Sequence, residues 1–261
     1  MALAEYVGGT EDGFVDLMNS YAASMGLSNT LFQNSTGLPD GNHFSSAKDL
    51  AIMTSLLIDN FPETYSLYKE KYFTFNNIRQ PNRNRLLWKD NSSDGVKTGH
   101  TESAGYCLIS SAKRNDMRLI AVVAGAKSDK ERFNDTQRLL EYGFRFYSTQ
   151  EVIKKDNALK DVDVWGGKKN LVSLGAENNI KLTLPRTTFK NITISYDFQN
   201  NLRAPIKEGQ TLGTLVIKDG EKTLHTENLV ALNDVEAKGF FGRLWASLVL
   251  WFRGLFGLGD A

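Results

Sequence analysis

The sequence predicts a mixed helix-and-strand domain (α+β or α/β) over residues 1–146, a small all-β sandwich domain over residues 147–236 and an amphipathic helix over residues 237–261. Three patterns predict this order. Apolar residues recur at helical spacing in the first part, alternate with polar residues in the second, and crowd one helix with aromatic rings in the last. A chain of 261 residues is long enough for one large or two ordinary domains.

The first domain contains helices and a buried strand. Helices are predicted over residues 11–25, 45–57 and 132–147, and a strand over residues 118–124. Gly26 follows the first helix as a C-terminal glycine, and Ser45 or Ser46 caps the second. This alternation of elements is typical of a mixed domain.

The second domain has the pattern of short strands joined by turns. Apolar and polar residues alternate over residues 162–165, 180–184, 192–196 and 212–217. Turn residues separate these runs, as in the Lys218-Asp-Gly-Glu221 segment. We therefore predict hairpins packed as a small sandwich.

The last segment combines apolar, aromatic and cationic residues. Phenylalanine, tryptophan and leucine dominate the stretch from Phe240 to Phe256, and only nine residues separate Arg243 from Arg253. That interval is far shorter than the roughly 20 apolar residues that span a bilayer. The composition favours a helix that lies on the membrane surface. A terminal helix packed on the β domain is the alternative.

Composition and charge argue against several kinds of partner. The formal net charge of +1 gives no indication of a nucleic-acid partner. Cys107 is the only cysteine, so neither an internal disulfide nor a cysteine-built zinc site is expected. The three histidines, His43, His100 and His225, are too scattered to suggest a metal motif.

The Lys97-Thr98-Gly99 triplet is the strongest indication of an enzymatic function in this sequence. Lys-Thr-Gly is one of three elements of the penicilloyl-serine enzymes, beside a Ser-x-x-Lys nucleophile and a Ser-x-Asn triplet. A polar Asp94-Gly95 turn precedes it, and the apolar run 105–111 that follows is typical of a buried strand. The triplet is thus predicted to begin an edge strand on which a substrate backbone could dock.

Five segments together resemble one family. They lie in order along the whole chain at residues 2–6, 73–88, 94–101, 140–146 and 239–243. In these segments the chain is similar to the low-molecular-mass penicillin-binding proteins, serine-type D-alanyl-D-alanine carboxypeptidases of the penicillin-binding protein 5 and 6 type. The resemblance implies a penicillin-binding, serine β-lactamase-like domain, then a β-rich domain and an amphipathic membrane anchor.

The resemblance also implies an activity. Such enzymes are hydrolases that remove the terminal D-alanine from peptidoglycan stem peptides through an acyl-serine intermediate, and they bind β-lactams. They need no metal or organic cofactor, and they work at the periplasmic face of the bacterial inner membrane.

By resemblance, five residues receive roles. Lys97 positions the substrate and sets the electrostatics of the site, while the hydroxyl of Thr98 contacts the substrate carboxylate. Gly99 lets the substrate backbone come close to the strand. The backbone N–H of His100 supplies half of an oxyanion hole, and Arg132 binds the terminal carboxylate bidentately. The alternatives are a solvated turn lysine at Lys97 and a surface arginine at the start of a helix at Arg132.

The nucleophile of the family has no counterpart in its usual place. Ser-x-x-Lys occurs at Ser45–Lys48, Ser66–Lys69 and Ser110–Lys113, and Ser-x-Asn occurs nowhere in the sequence. The first serine is explained as a helix cap, the second lies in a segment without a special turn, and the third follows Lys97 in the wrong order. The family nucleophile instead lies well before Lys-Thr-Gly.

We therefore expect residues 1–146 to be the C-terminal part of a penicillin-binding domain, in a chain that is N-terminally truncated, has no signal peptide and is catalytically incompetent. The competing hypotheses are a non-catalytic, membrane-associated β-domain module and another activity of the superfamily, endopeptidase or weak β-lactamase.

Overall fold

The computed structural model describes residues 1–198 and 201–239. The chain divides into two compact units, of which the first ends at Phe146 and the second begins at Tyr147.

The first unit mixes helices with an antiparallel sheet. Its helices are α1 (Ala2–Gly8), α2 (Glu11–Ser24), α3 (Ala47–Asn60), α4 (Pro62–Tyr65), α5 (Leu86–Lys89) and α6 (Asp129–Phe146), with a 3₁₀ helix at Ser66–Lys69. Its strands are β1 (Tyr72–Phe75), β2 (Ile78–Pro81), β3 (Ser93–Thr101), β4 (Gly105–Arg114) and β5 (Met117–Ala126). Strands β3, β4 and β5 form one sheet in that order, and β1 pairs with β2 in a separate hairpin.

The ends of the predicted helices are set by local hydrogen bonds. Gly26 lies just beyond α2 with a φ of 71°, a conformation that glycine adopts without steric cost. Of the two serines proposed as the cap of the next helix, Ser46 is the cap, since its hydroxyl accepts a hydrogen bond from the amide of Asp49 at 3.1 Å. Ser45 instead hydrogen-bonds the Thr30 hydroxyl at 2.8 Å.

Helix α6 packs closely on the sheet. At Gly143 an added Cβ would lie 2.4 Å from the Cδ1 atom of Leu119 on β5, so any other residue here would force that leucine side chain to shift. Leu140 and Phe144, one turn apart, are both buried. This packing carries the first residues of α6 to the sheet, which determines where Arg132 lies.

The second unit is built of strands. They are β6 (Tyr147–Ile153), β7 (Lys160–Trp165), β8 (Leu171–Ala176), β9 (Ile180–Pro185), β10 (Ile192–Phe198), β11 (Leu202–Arg203), β12 (Thr211–Asp219) and β13 (Lys222–Ala231), with a 3₁₀ helix at Thr188–Lys190. One sheet has the order β10-β12-β13-β8-β7-β11, and β6 pairs with β9 in a second sheet. Apolar residues of both sheets share a single core, as in a sandwich. The predicted fold class is confirmed.

The first residue assigned to the predicted C-terminal helix belongs to the β domain. Residue 237, placed at its start, forms a β-bridge with Gly167, because the backbone of the β domain extends that far. Residues 240–261 of the predicted helix lie outside the described residues. Among the residues that are described, no helix is long and apolar enough to cross a membrane.

Two leucines of strand β8 test the core of the second unit. Leu174 is fully buried in the sandwich, whereas Leu171 is 51% exposed. We predict that Leu174→Ala lowers the free energy of unfolding by about 2–5 kcal/mol, because it removes buried methyl groups and leaves a cavity. Leu171→Ala is the matched control and should cost less than about 1 kcal/mol. Urea denaturation followed by circular dichroism measures both, and equal losses would contradict this description of the core.

Candidate active site

Strand β3 carries four of the five predicted site residues. Gly99 lies opposite Cys107 of β4, and His100 lies opposite Tyr106. Within the described residues β3 is the outermost strand of its sheet, as predicted. The triplet does not begin that strand, because β3 starts at Ser93 and includes Asp94 and Gly95, which were predicted to form a turn. Alternate N–H and C=O groups of residues 97–101 therefore point away from β4 without a strand partner on that side. We call this side the open edge of β3.

Side chains alternate between the two faces of the strand. Lys97 is exposed, whereas Thr98 is 9% exposed. The Lys97 ammonium group donates a hydrogen bond to the Thr98 carbonyl at 2.7 Å, so it lies back along its own strand. Lys97 is thus positioned by the strand and remains accessible.

Nothing in the described chain crowds the position of Gly99. A Cβ added there would have the Cβ of Cys107 as its nearest neighbour, at 3.8 Å, which is an ordinary van der Waals contact. Its φ also lies outside the left-handed region that favours glycine. Neither packing within this unit nor backbone conformation therefore requires glycine at position 99. The missing side chain leaves room on the strand for a bound ligand.

Arg132 joins the strand from helix α6. The residue is only 7% exposed, and its Nη1 atom donates hydrogen bonds to the carbonyls of Gly99 at 2.9 Å and Cys107 at 3.3 Å. Its Nη2 atom donates to the carboxylate of Asp129. The fold thus brings Arg132 to the Lys-Thr-Gly strand across 33 residues of sequence. Such burial does not fit the alternative of a solvated surface arginine.

Two aromatic rings complete this end of the strand. The imidazole of His100 lies on the ring of Tyr106, with centroids 3.9 Å apart. The guanidinium carbon of Arg132 lies 5.3 Å from the centroid of the same tyrosine, within the range of a cation–π contact. Tyr106 therefore contacts both predicted binding residues and limits where their side chains can lie.

An ion pair fixes the beginning of β3. The Asp94 carboxylate accepts hydrogen bonds from Tyr65 at 2.8 Å and from Arg118 at 2.9 and 2.8 Å. Arg118 also donates to the hydroxyl of Ser111 at 2.5 Å. Burial, assisted by the neighbouring Asp94 charge, raises the pKa of Tyr65 to about 12, although a hydrogen bond with Ser111 opposes this shift.

Two buried side chains donate hydrogen bonds to the backbone of Gly95, the residue after Asp94. The Asn84 side-chain amide donates to the Gly95 carbonyl at 2.8 Å, and the Ser110 hydroxyl donates to the same oxygen at 2.9 Å. Asn84 is 1% exposed and Ser110 is fully buried. The Gly95 carbonyl is therefore satisfied without a bond to solvent.

Family models and solved structures both match this chain to the D-alanyl-D-alanine carboxypeptidases. A family model described as D-alanyl-D-alanine carboxypeptidase matches residues 1–128, and one described as penicillin-binding protein 5, C-terminal domain, matches residues 147–237. Penicillin binding protein 5 from Haemophilus influenzae is 41% identical with a TM-score of 0.76, over 90% of this chain and 69% of that one. The chain belongs to the D-alanyl-D-alanine carboxypeptidases of the penicillin-binding protein 5/6 type.

Two further relatives give the extent of the likeness. D-alanyl-D-alanine carboxypeptidase DacC from Escherichia coli is 47% identical over 98% of this chain and 65% of its own length. The chain thus spans just under two thirds of that relative. The ampicillin-bound form of penicillin-binding protein D2 from Listeria monocytogenes is 36% identical with a TM-score of 0.50, over 54% of this chain and 60% of that one.

In this chain, the serines of the three Ser-x-x-Lys matches hydrogen-bond other groups. Ser45 bonds Thr30, Ser66 donates to the Glu63 carbonyl at 2.6 Å, and Ser110 bonds Gly95. Ser110 and Lys113 are three residues apart on a strand, so their side chains lie on opposite faces. Within residues 1–198 and 201–239, no hydrogen bond joins any of these serines to its lysine. That part of the chain also holds no group of three or more His, Cys, Asp or Glu residues that could bind a metal.

The sequence alone indicated no role for Asn84 and Asp94, whose side-chain hydrogen bonds hold β3 in place. Asn84 belongs to the Asn82-Arg-Asn84 run that supported the family resemblance, and a polar run directly before Leu86-Leu87 was the available signal. The sequence predicts only a turn at Asp94, whereas this residue lies within β3. Their partners lie 11 to 29 residues away in sequence, so periodicity did not reveal them.

The buried phenol of Tyr65 makes stability depend on alkaline pH. Its pKa of about 12 lies above the unfolded value near 10, so folding favours the neutral form. Its contribution is complete below about pH 10 and is lost as the pH rises toward 12. We predict that from pH 9 to 12 the free energy of unfolding falls more steeply in the wild type than in Tyr65→Phe.

The control for this measurement is Tyr6→Phe, since Tyr6 is 88% exposed. It should keep the wild-type slope in urea denaturations across the same pH range. If the free energy of unfolding falls with pH equally steeply in the wild type and in Tyr65→Phe, the pKa of this phenol is not raised in the folded protein.

Proposed function

We propose that this chain belongs to a serine-type carboxypeptidase that removes the terminal D-alanine from peptidoglycan stem peptides, and that its first unit forms the Lys-Thr-Gly side of the active site. Membership in the family supports the reaction. The observation that carries the proposal is the open edge of β3, with Gly99 unobstructed and Arg132 bonded to its carbonyl. An extended peptide can add to such an edge as one more strand.

The proposed roles follow from this position. Lys97 is accessible and sets a positive charge beside the docked peptide. His100 supplies a backbone N–H toward the developing oxyanion, a donor of a kind worth about 3–4 kcal/mol in the transition state. Thr98 and Arg132 bind the terminal carboxylate of the peptide, for which the planar guanidinium is well suited.

We also propose that these 261 residues do not perform the hydrolysis by themselves. A serine needs a neighbouring base to act as a nucleophile, and each candidate serine within the described residues is bonded to another partner. The acyl-accepting serine and its lysine would then come from sequence outside these residues. The ampicillin-bound Listeria relative supports β-lactams as ligands of the complete site.

The C-terminal stretch suggests where the enzyme works. Residues 240–256 are rich in phenylalanine, tryptophan and leucine with arginine between them, a composition suited to the membrane interface. We propose that this segment associates with a membrane surface, at the periplasmic face of the inner membrane in keeping with the family resemblance. The competing module without catalysis would share this anchor but would bind no peptide.

Peptide binding tests the proposal directly. N-acetyl-D-Ala-D-Ala is titrated into the chain labelled with ¹⁵N, and amide shifts of residues 97–101 are followed by NMR. We predict saturable binding that Gly99→Ala weakens by about tenfold, because a new methyl group occupies the space needed by the ligand backbone. The protein itself accommodates that methyl group, so the melting temperature should not fall.

Gly41→Ala is the matched control, because Gly41 is exposed and an added Cβ there meets no atom within 4 Å. It should leave the affinity unchanged. Vesicle binding without any peptide binding would favour the non-catalytic membrane module. Measurable D-alanine release from the unmodified chain would refute the proposal that it lacks the catalytic serine.

A further inference from the structure

Arg132 already binds a carboxylate in this structure. Its Nη2 atom donates to Oδ1 of Asp129, three residues earlier on the first turn of α6. The other oxygen of that carboxylate lies 3.1 Å from the guanidinium of Arg85. Asp129 therefore bridges two arginines beside the Gly99 end of the open edge.

Asp129 is held by contacts other than the one with Arg132. The Ser128 hydroxyl caps α6 by accepting a hydrogen bond from the amide of Glu131 at 3.1 Å. An acidic residue in the first turn of a helix is favoured there by the helix dipole. Arg85 offers a second partner, and the Asp129 side chain is 33% exposed, so it is not enclosed.

Arg132 likewise has other partners. Its Nη1 atom bonds the carbonyls of Gly99 and Cys107, and these contacts do not involve Asp129. If Asp129 moves away, the guanidinium stays against the strand with Nη2 free to donate. Asp129 in turn keeps its contact with Arg85.

We propose that Asp129 occupies the carboxylate-binding position of Arg132 in the unliganded protein, and that the terminal carboxylate of a ligand displaces it onto Arg85. Asp129 then lowers the affinity for every ligand that carries this carboxylate. This inference rests on the proposed function, because it takes Arg132 to be the ligand's anchor.

A purely positioning role for Asp129 predicts the opposite sign. If the carboxylate only holds Arg132 in place, its removal loosens the guanidinium and weakens ligand binding. If it competes, removal strengthens binding, but only for ligands with a free carboxylate. The C-terminal amide of the same peptide separates the two, since it cannot compete for the guanidinium.

The experiment compares N-acetyl-D-Ala-D-Ala with its C-terminal amide by NMR titration of the full chain. Asp129→Asn should bind the acid about fivefold more tightly than the wild type, a factor typical of one partly exposed ion pair. Binding of the amide should not change. Asp135→Asn is the matched control, since Asp135 pairs with Arg138 at the same i,i+3 spacing on the same helix.

Asp135→Asn should leave both affinities at the wild-type value. Unchanged or weaker acid binding by Asp129→Asn would overturn the inference while leaving the proposed function in place. A wild type that binds neither ligand would count against the proposed function itself, and with it the inference. Asp129→Ser serves as a second neutral variant, and the unfolding of both variants would assign Asp129 a structural role and overturn the competition.

Discussion

The site depends on keeping strand β3 in place although only one of its two edges is paired, with β4. A strand within a sheet is fixed by backbone hydrogen bonds along both edges, but β3 must leave one edge free if a peptide is to pair with it. Side chains from other elements supply the missing restraint: Asn84 and Ser110 bind the Gly95 carbonyl, and Arg132 binds the Gly99 carbonyl. The strand is thus held at both ends of the Lys-Thr-Gly triplet, while no other strand of the described residues pairs with its open edge.

The donors of these restraints come from separate parts of the first unit. Asn84 precedes the short helix α5, Ser110 lies on β4, and Arg132 is on the first turn of α6. Helix α6 packs against β4 and β5, and Arg132 on its first turn reaches the Gly99 carbonyl of β3. The position of the Lys-Thr-Gly triplet therefore depends on elements that are distant from it in sequence, and so on the fold of the first unit.

Periodicity and short motifs predicted the elements but not the bonds between them. The strands of the β domain, the end of α2 at Gly26 and the edge position of Lys97 follow from local patterns. The Asp94–Arg118 pair and the Asn84–Gly95 bond join residues 24 and 11 positions apart, and no local pattern encodes such contacts. The β domain extends at least one residue beyond its predicted end at residue 236, because residue 237 pairs with Gly167, a contact between distant segments that local patterns do not encode.

The central claim is that these residues form a binding edge without an acylating serine. The intact mass of the purified chain after incubation with benzylpenicillin tests it most directly, with circular dichroism on the same sample to establish that the chain is folded. We expect the mass to remain that of the unmodified chain. A stoichiometric increase by the mass of one benzylpenicillin would contradict the claim, and peptide mapping would identify whether Ser45, Ser66 or Ser110 carries the adduct.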